Sequence, residues 1–207
     1  MIWPMPERMR SCNLCLTAPG ESPFLLQVSS LAYLGTAVMA LMARGPGPAA
    51  LYASVACMSF LYHTFQENQP QSKCLSFYRC ADILLACVAS FVVLSECCTI
   101  DKNSMNTTAV ITLSLLTAIS FITSGCENST FIVQPFIILG AAYTLPDVLR
   151  EKSVMKKVGW GVGASGALAF ALGDQLPSAC KSHSMWHLLT ALGGGIVYAS
   201  SIIEARG

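Results

Sequence analysis

Ser182-His183-Ser184-Met185-Trp186-His187 leads directly into the last long apolar run of the chain, Leu188 to Ile203. His183 and His187 stand four residues apart, so on a helix they project from one face, one turn from each other. The chain has only 3 histidines, and the remaining one, His63, lies far upstream. A pair at helical spacing with a distant third is the ligand count of a zinc centre that keeps one position open. How the intervening chain crosses space decides whether the pair and its third member meet.

Composition puts that crossing in a membrane. Charged residues make up 11% of the 207 and hydrophobic residues 54%, with a mean hydropathy of +0.57, whereas an ordinary soluble domain carries roughly 25% charged residues. The formal net charge of +1 is not concentrated anywhere, which argues for no nucleic acid partner. At roughly 20 residues per crossing, about seven crossings use around two thirds of the chain. The expectation is an all-α membrane protein, a seven-transmembrane helix bundle.

Residues 1–23 form a short N-terminal segment, 24–203 the transmembrane domain, and 204–207 a short C-terminal tail. The first segment lacks the apolar stretch of a cleavable signal peptide. Crossings are expected at 24–43, 49–65, from 77 or 81 to 94, 108–123, 130–149, 158–172 and 184–203. Arg44-Gly45-Pro46-Gly47-Pro48 reads as the break between the first two, and Pro135 and Pro146 predict kinks in the fifth. Gly159 and Gly163 in the sixth let two helices approach closely, either inside the bundle or at a dimer seam.

Basic residues set the orientation. Arg8, Arg10, Lys73, Arg79 and Lys181 fall on the N-terminal side, against Arg44, Lys102, Arg150, Lys152, Lys156, Lys157 and Arg206 on the other. The excess favours an outside N-terminus and a cytosolic C-terminus. Of the 10 cysteines, Cys12, Cys15, Cys74, Cys80, Cys126 and Cys180 share the N-terminal side, where an oxidising exterior would pair them in a connectivity the sequence leaves open. Cys97 and Cys98 are candidates for palmitoylation at the cytosolic end of the third crossing, or ordinary thiols. Under this topology the Asn106 sequon is cytosolic, and the Asn128 sequon lies outside but close to the bilayer.

Ionisable groups inside membrane segments are functional candidates because each costs about 2.5–3.5 kcal/mol on insertion. His63 near the end of the second crossing, Asp82 near the start of the third, and His183 and His187 near the start of the seventh all fall at one membrane face when the chain is traced up and down. Ser59, four residues before His63, shares its helical face. Histidine ligands favour Zn. Asp82 is then placed to orient or deprotonate a water in the open position, or to support a ligand histidine. It could equally complement a helix dipole. Ser59 could donate to a developing oxyanion, or bond to a backbone carbonyl.

Ser59-xxx-His63, Asp82 and His183-xxx-His187 together resemble the signature of the seven-helix superfamily of alkaline ceramidases and adiponectin/progestin receptors. Within it, Val28-Ser29-Ser30-Leu31-Ala32-Tyr33-Leu34, Leu61-Tyr62-His63, Phe77-Tyr78-Arg79-Cys80-Ala81-Asp82-Ile83-Leu84 and His183-Ser184-Met185-Trp186-His187 are most similar to the myomaker family of the transmembrane-protein-8 group. The likeness runs from about Phe24 to the C-terminus. Residues 1–23 contain only Glu7 and Glu21 as acids, unlike the acidic calcium-binding segment of alkaline ceramidases. Ile203-Glu204-Ala205-Arg206-Gly207 has no cysteine, unlike the lipid-bearing tail of vertebrate myomaker-type proteins.

The resemblance implies a plasma-membrane protein, with a Golgi pool, that promotes myoblast fusion by remodelling lipid at hemifusion. It implies a structural Zn on His63, His183 and His187, homodimerisation, and membrane lipids and a cell-surface fusion protein as partners. The alternative expectation is a zinc-dependent lipid amidase or esterase using Asp82 and Ser59. A ligand-sensing receptor is the third.

Overall fold

The computed structural model describes residues 22–68, 73–96, 129–171 and 183–206, with 112, 115, 116, 118–120 and 123 between them. Regular structure among these residues is helical throughout. The elements are α1 (Pro23–Ser30), α2 (Ala32–Arg44), α3 (Pro46–Asn68), α4 (Lys73–Glu96), α5 (Ser129–Arg150), α6 (Val154–Ala171) and α7 (His183–Glu204). The scattered residues from 112 to 123 are also helical and fall in the fourth expected crossing, most of which lies outside the described residues. Phe24–Arg44, Phe77–Leu94 and His183–Glu204 are long and apolar enough to cross a membrane. The chain is a helical membrane protein.

The first crossing is two helices rather than one. Ser29 and Ser30 Oγ donate to the Leu26 carbonyl at 2.9 and 2.8 Å, competing with the backbone ladder. Beyond them Leu31 and Leu34 N–H bond back only three residues, to Val28 and Leu31, a 3₁₀-type tightening. The break before α3 is narrower than the proline-rich stretch suggested. Gly45 alone turns the chain, at φ 90°, a conformation that favours glycine. Pro46 then starts α3, where a missing N–H costs nothing.

Helices also outlast the apolar runs that announce them. α3 continues to Asn68, its last turn carrying Asn68 Nδ2 to the Thr64 carbonyl at 2.9 Å. α6 begins at Val154, four residues before its apolar run, behind a Ser153 hydroxyl that faces the Lys156 N–H at 3.5 Å in the manner of an N-cap. Backbone bonding carries each helix into the polar interface, where hydropathy has already fallen.

The core gathers Tyr33, Tyr52, Val55, Ala86, Ala89, Ala191 and Tyr198. Tyr52 Oη donates to the Ala89 carbonyl at 3.0 Å and meets Tyr198 edge-on at 5.8 Å between ring centres. α6 and α7 make the most extensive helix pair, and glycine is the reason. A Cβ at Gly159 would stand 2.9 Å from the Gly193 carbonyl oxygen, and one at Gly193 would stand 2.5 Å from the Gly163 nitrogen. Gly159 is thus used inside the bundle. A Cβ on Gly163 would meet nothing within 4 Å, so its backbone, not its missing side chain, makes the contact.

Ion pairs mark the end of the bundle opposite the histidines. Arg44 Nε meets Glu96 Oε2 at 2.7 Å, joining the C-terminal ends of α2 and α4. Lys156 Nζ meets Glu204 Oε2 at 2.6 Å and Glu151 Oε2 at 3.9 Å, joining the start of α6 to the end of α7. The Arg44 side chain is 39% exposed and that of Lys156 only 8%. Lys156→Ala, which breaks the Glu204 pair and leaves the buried Glu151 only the Lys152 and Ser153 N–H donors, is therefore expected to cost about 2 kcal/mol, and Arg44→Ala less than about 1 kcal/mol. Unfolding midpoints of the two variants in one detergent check the ranking; equal losses would contradict it.

Candidate metal centre

Two helices, α3 and α7, deliver the three histidines to one point. His63 comes from the last third of α3, His183 from the first residue of α7, and His187 from one turn further along α7. One ligand nitrogen from each lies within 4.8 Å of the others, and His63 Nε2 and His187 Nε2 are 3.3 Å apart. His183 and His187 stack at 4.7 Å and 12°, as the α7 spacing requires, while His63 meets both nearly edge-on at 88° and 89°. Three buried or part-buried imidazoles converging in this way could bind a metal ion.

The surroundings orient the rings. Gln66 Oε1, one turn beyond His63, accepts from His63 Nδ1 at 3.3 Å. That bond leaves the His63 Nε2 lone pair directed at the cluster, the arrangement that ligating histidines use. Trp186 packs against His183 and His187 at 5.1 and 4.8 Å, and Tyr62 covers His63 at 4.8 Å. Tyr33 of α2 meets His187 edge-on at 5.7 Å, held by a 2.6 Å bond between its hydroxyl and that of Thr190.

Ser59 Oγ is 3.4 Å from His187 Nε2 and 2.9 Å from Ser30 Oγ, so α1 reaches the cluster through a serine pair. Asp82 is fully buried, at 0% exposure. Neither of its oxygens has a hydrogen-bond partner; the Ser59 hydroxyl stands in its neighbourhood without meeting bonding geometry. A carboxylate buried without partners is costly, which makes Asp82 a candidate functional group beside the cluster.

Residues 22–188 match the family described as "Protein of unknown function (DUF3522)". The chain belongs to this family. Comparison with curated proteins gives no match. The DUF3522 match runs from the residue before α1 to the residue after His187, and so contains every residue of the cluster.

Within this DUF3522 chain, all five residues singled out from sequence occupy one end of the bundle, with Ser59, His63 and His187 in direct contact. Ser30, Tyr33, Gln66 and Trp186 surround the cluster; Ser30, Tyr33 and Trp186 stand in stretches that carry the resemblance, but none of the four is singled out by the sequence as a site residue. Cys80 forms a disulfide whose partner is not among the described side chains, while Cys57 and Cys87 are free thiols. Cys12, Cys15, Cys97, Cys98, Asn106 and Asn128 lie outside the described residues.

Proposed function

We propose that this protein is a myomaker-like, seven-span plasma-membrane protein that promotes cell fusion by remodelling lipid around a Zn centre on His63, His183 and His187. The observation that carries the metal is the 3.3 Å separation of His63 Nε2 and His187 Nε2. Two nitrogens about 2.0–2.1 Å from one tetrahedral zinc stand about 3.3–3.4 Å apart. Neutral imidazoles in an apolar bundle are the donor set that zinc prefers. The disulfide at Cys80, near the same end, supports an outward-facing site. Fusion itself is supported by the resemblance of the four stretches named above. Homodimerisation and a surface partner come with that resemblance.

A second reading, a zinc-dependent lipid amidase or esterase, is favoured by Asp82. Structural zinc sites are closed by four protein ligands, whereas catalytic ones keep a place free. Here the cluster has three histidines and no fourth protein ligand among the described residues, and the buried Asp82 carboxylate has no hydrogen-bond partner. In this reading Zn supplies Lewis-acid polarisation of the scissile carbonyl. Water is the nucleophile: Asp82 would take its proton as the water oxygen attacks the carbonyl carbon and return it to the departing amine or alkoxide as the C–N or C–O bond breaks. The Ser59 hydroxyl would donate to charge developing on the carbonyl oxygen.

Two assays separate the readings. Expression in fusion-incompetent cells yields multinucleate cells under the first; surface-delivered protein without fusion would sink it. Under the second, purified protein releases fatty acid from labelled ceramide or phospholipid, and Asp82→Ala slows release by roughly 10²–10⁴-fold. Unchanged release by that variant would remove Asp82 from the chemistry.

A further inference from the structure

Arg79 lies three residues before Asp82 on α4. Positions 79, 82, 83 and 86 share a helical face, and Asp82, Ile83 and Ala86 of that face are buried against the bundle. Arg79 extends the stripe by one turn toward the helix start, and its Nε is buried with no hydrogen-bond partner. Residues of opposite charge three apart commonly pair on a helix. Arg79 and Asp82 do not, and Arg79 makes no ion pair among the described residues.

Arg79 as a whole is part-buried, with only its Nε shut away from both water and an acceptor. A buried donor on a charged group without an acceptor is destabilising, and Asp82, the only carboxylate among the described side chains at this end, does not supply one. At the same end, near the starts of α1 and α4, Phe24 and Phe77 are 71% and 63% exposed, apolar side chains that suit the depth where acyl chains give way to headgroups. Beside Phe77, Tyr78 of α4 stacks on Phe65 of α3, 4.9 Å apart. A planar fork of N–H donors at headgroup depth matches the oxygens of a phosphate.

We infer that Arg79 anchors the phosphate of a lipid headgroup at the mouth of the three-histidine centre, so that the lipid the site handles is a phospholipid. The inference rests on the lipid-handling reading above and names the class of lipid. Its acyl chains lie along the exposed apolar residues, and its glycerol region reaches toward Asp82.

Native mass spectrometry of the detergent-purified chain, with dioleoyl phosphatidic acid and dioleoylglycerol as probes, tests it. The two share their acyl chains and differ by the phosphate. Wild type should retain phosphatidic acid about tenfold better than dioleoylglycerol, equivalent to about 1.4 kcal/mol. Arg79→Gln should lose that preference while still binding dioleoylglycerol, which shows that it has folded, and Arg79→Lys should keep part of it. Equal phosphatidic acid binding by wild type and Arg79→Gln overturns the inference and leaves the lipid-handling reading standing. Binding of neither lipid by wild type overturns both. Displacement of phosphatidic acid by excess inorganic phosphate, with no loss of dioleoylglycerol, would assign the site to a free anion and overturn the headgroup claim.

Discussion

His187→Ala is expected to remove the metal and most of the thermal stability that the metal confers. His187 is fully buried at 0% exposure and contacts His63, Ser59, Tyr33 and Trp186. A ligand present at about 1,000 times its dissociation constant stabilises the folded state by about 4 kcal/mol. For a domain of this size each kcal/mol moves the melting temperature by about 2–4 °C. Stripping wild type with a strong chelator should therefore lower its melting temperature by about 10 °C, and the variant should start low and ignore the chelator. A chelator response in His187→Ala equal to that of wild type would mean that the ion is held elsewhere.

Gly193→Ala is expected to be nearly as damaging, through packing alone. The new methyl would stand 2.5 Å from the Gly163 nitrogen and 2.7 Å from the Gly159 carbonyl oxygen. Both are backbone atoms that cannot swing aside, so the helices must separate. Overpacking of this kind costs about 1–3 kcal/mol, and the upper end applies where no flexible side chain yields. Gly161→Ala is the internal control: a Cβ there meets nothing within 4 Å, and helix propensity favours alanine by about 0.8–1.0 kcal/mol. Unfolding midpoints should fall for the first variant and hold or rise for the second. Since α7 also carries His183 and His187, the first variant should bind less metal. Equal midpoints for Gly193→Ala and wild type would contradict the close approach of α6 and α7.

The convergence of the histidines was legible because it depends on few things: apolar runs long enough to alternate direction, and ionisable residues rare enough to stand out. With 3 histidines in the chain, counting crossings was sufficient to bring them to one end. The same logic placed Asp82, whose charge makes it conspicuous inside a span. Ser30 and Tyr33 were not legible, because a serine or a tyrosine in an apolar run belongs as readily to packing as to a site. Their roles appear only when α1 and α2 are packed against α3 and α7, through the Ser30–Ser59 and Tyr33–Thr190 hydroxyl pairs.

Packing detail was half legible. The Gly159/Gly163 spacing announced a close approach, but its counterpart, Gly193, was one of three consecutive glycines and nothing in the spacing selected it. Helix ends were set by local bonding rather than hydropathy: a single glycine at 45 before Pro46, and Ser153 ahead of α6. Arg79 was counted in sequence only as a charge for orientation. Its significance lies in what it fails to pair with, which no sequence pattern displays. Cys80 forms a disulfide, while connectivity is a property of three-dimensional proximity that spacing does not encode.

Whether His63, His183 and His187 hold one zinc ion is tested most directly by elemental analysis of the purified, folded wild-type protein, with X-ray absorption at the zinc edge on the same sample. The account predicts about one zinc per chain with three nitrogen neighbours at about 2.0–2.1 Å. Folded protein without zinc, or zinc in a sulfur environment, would contradict it.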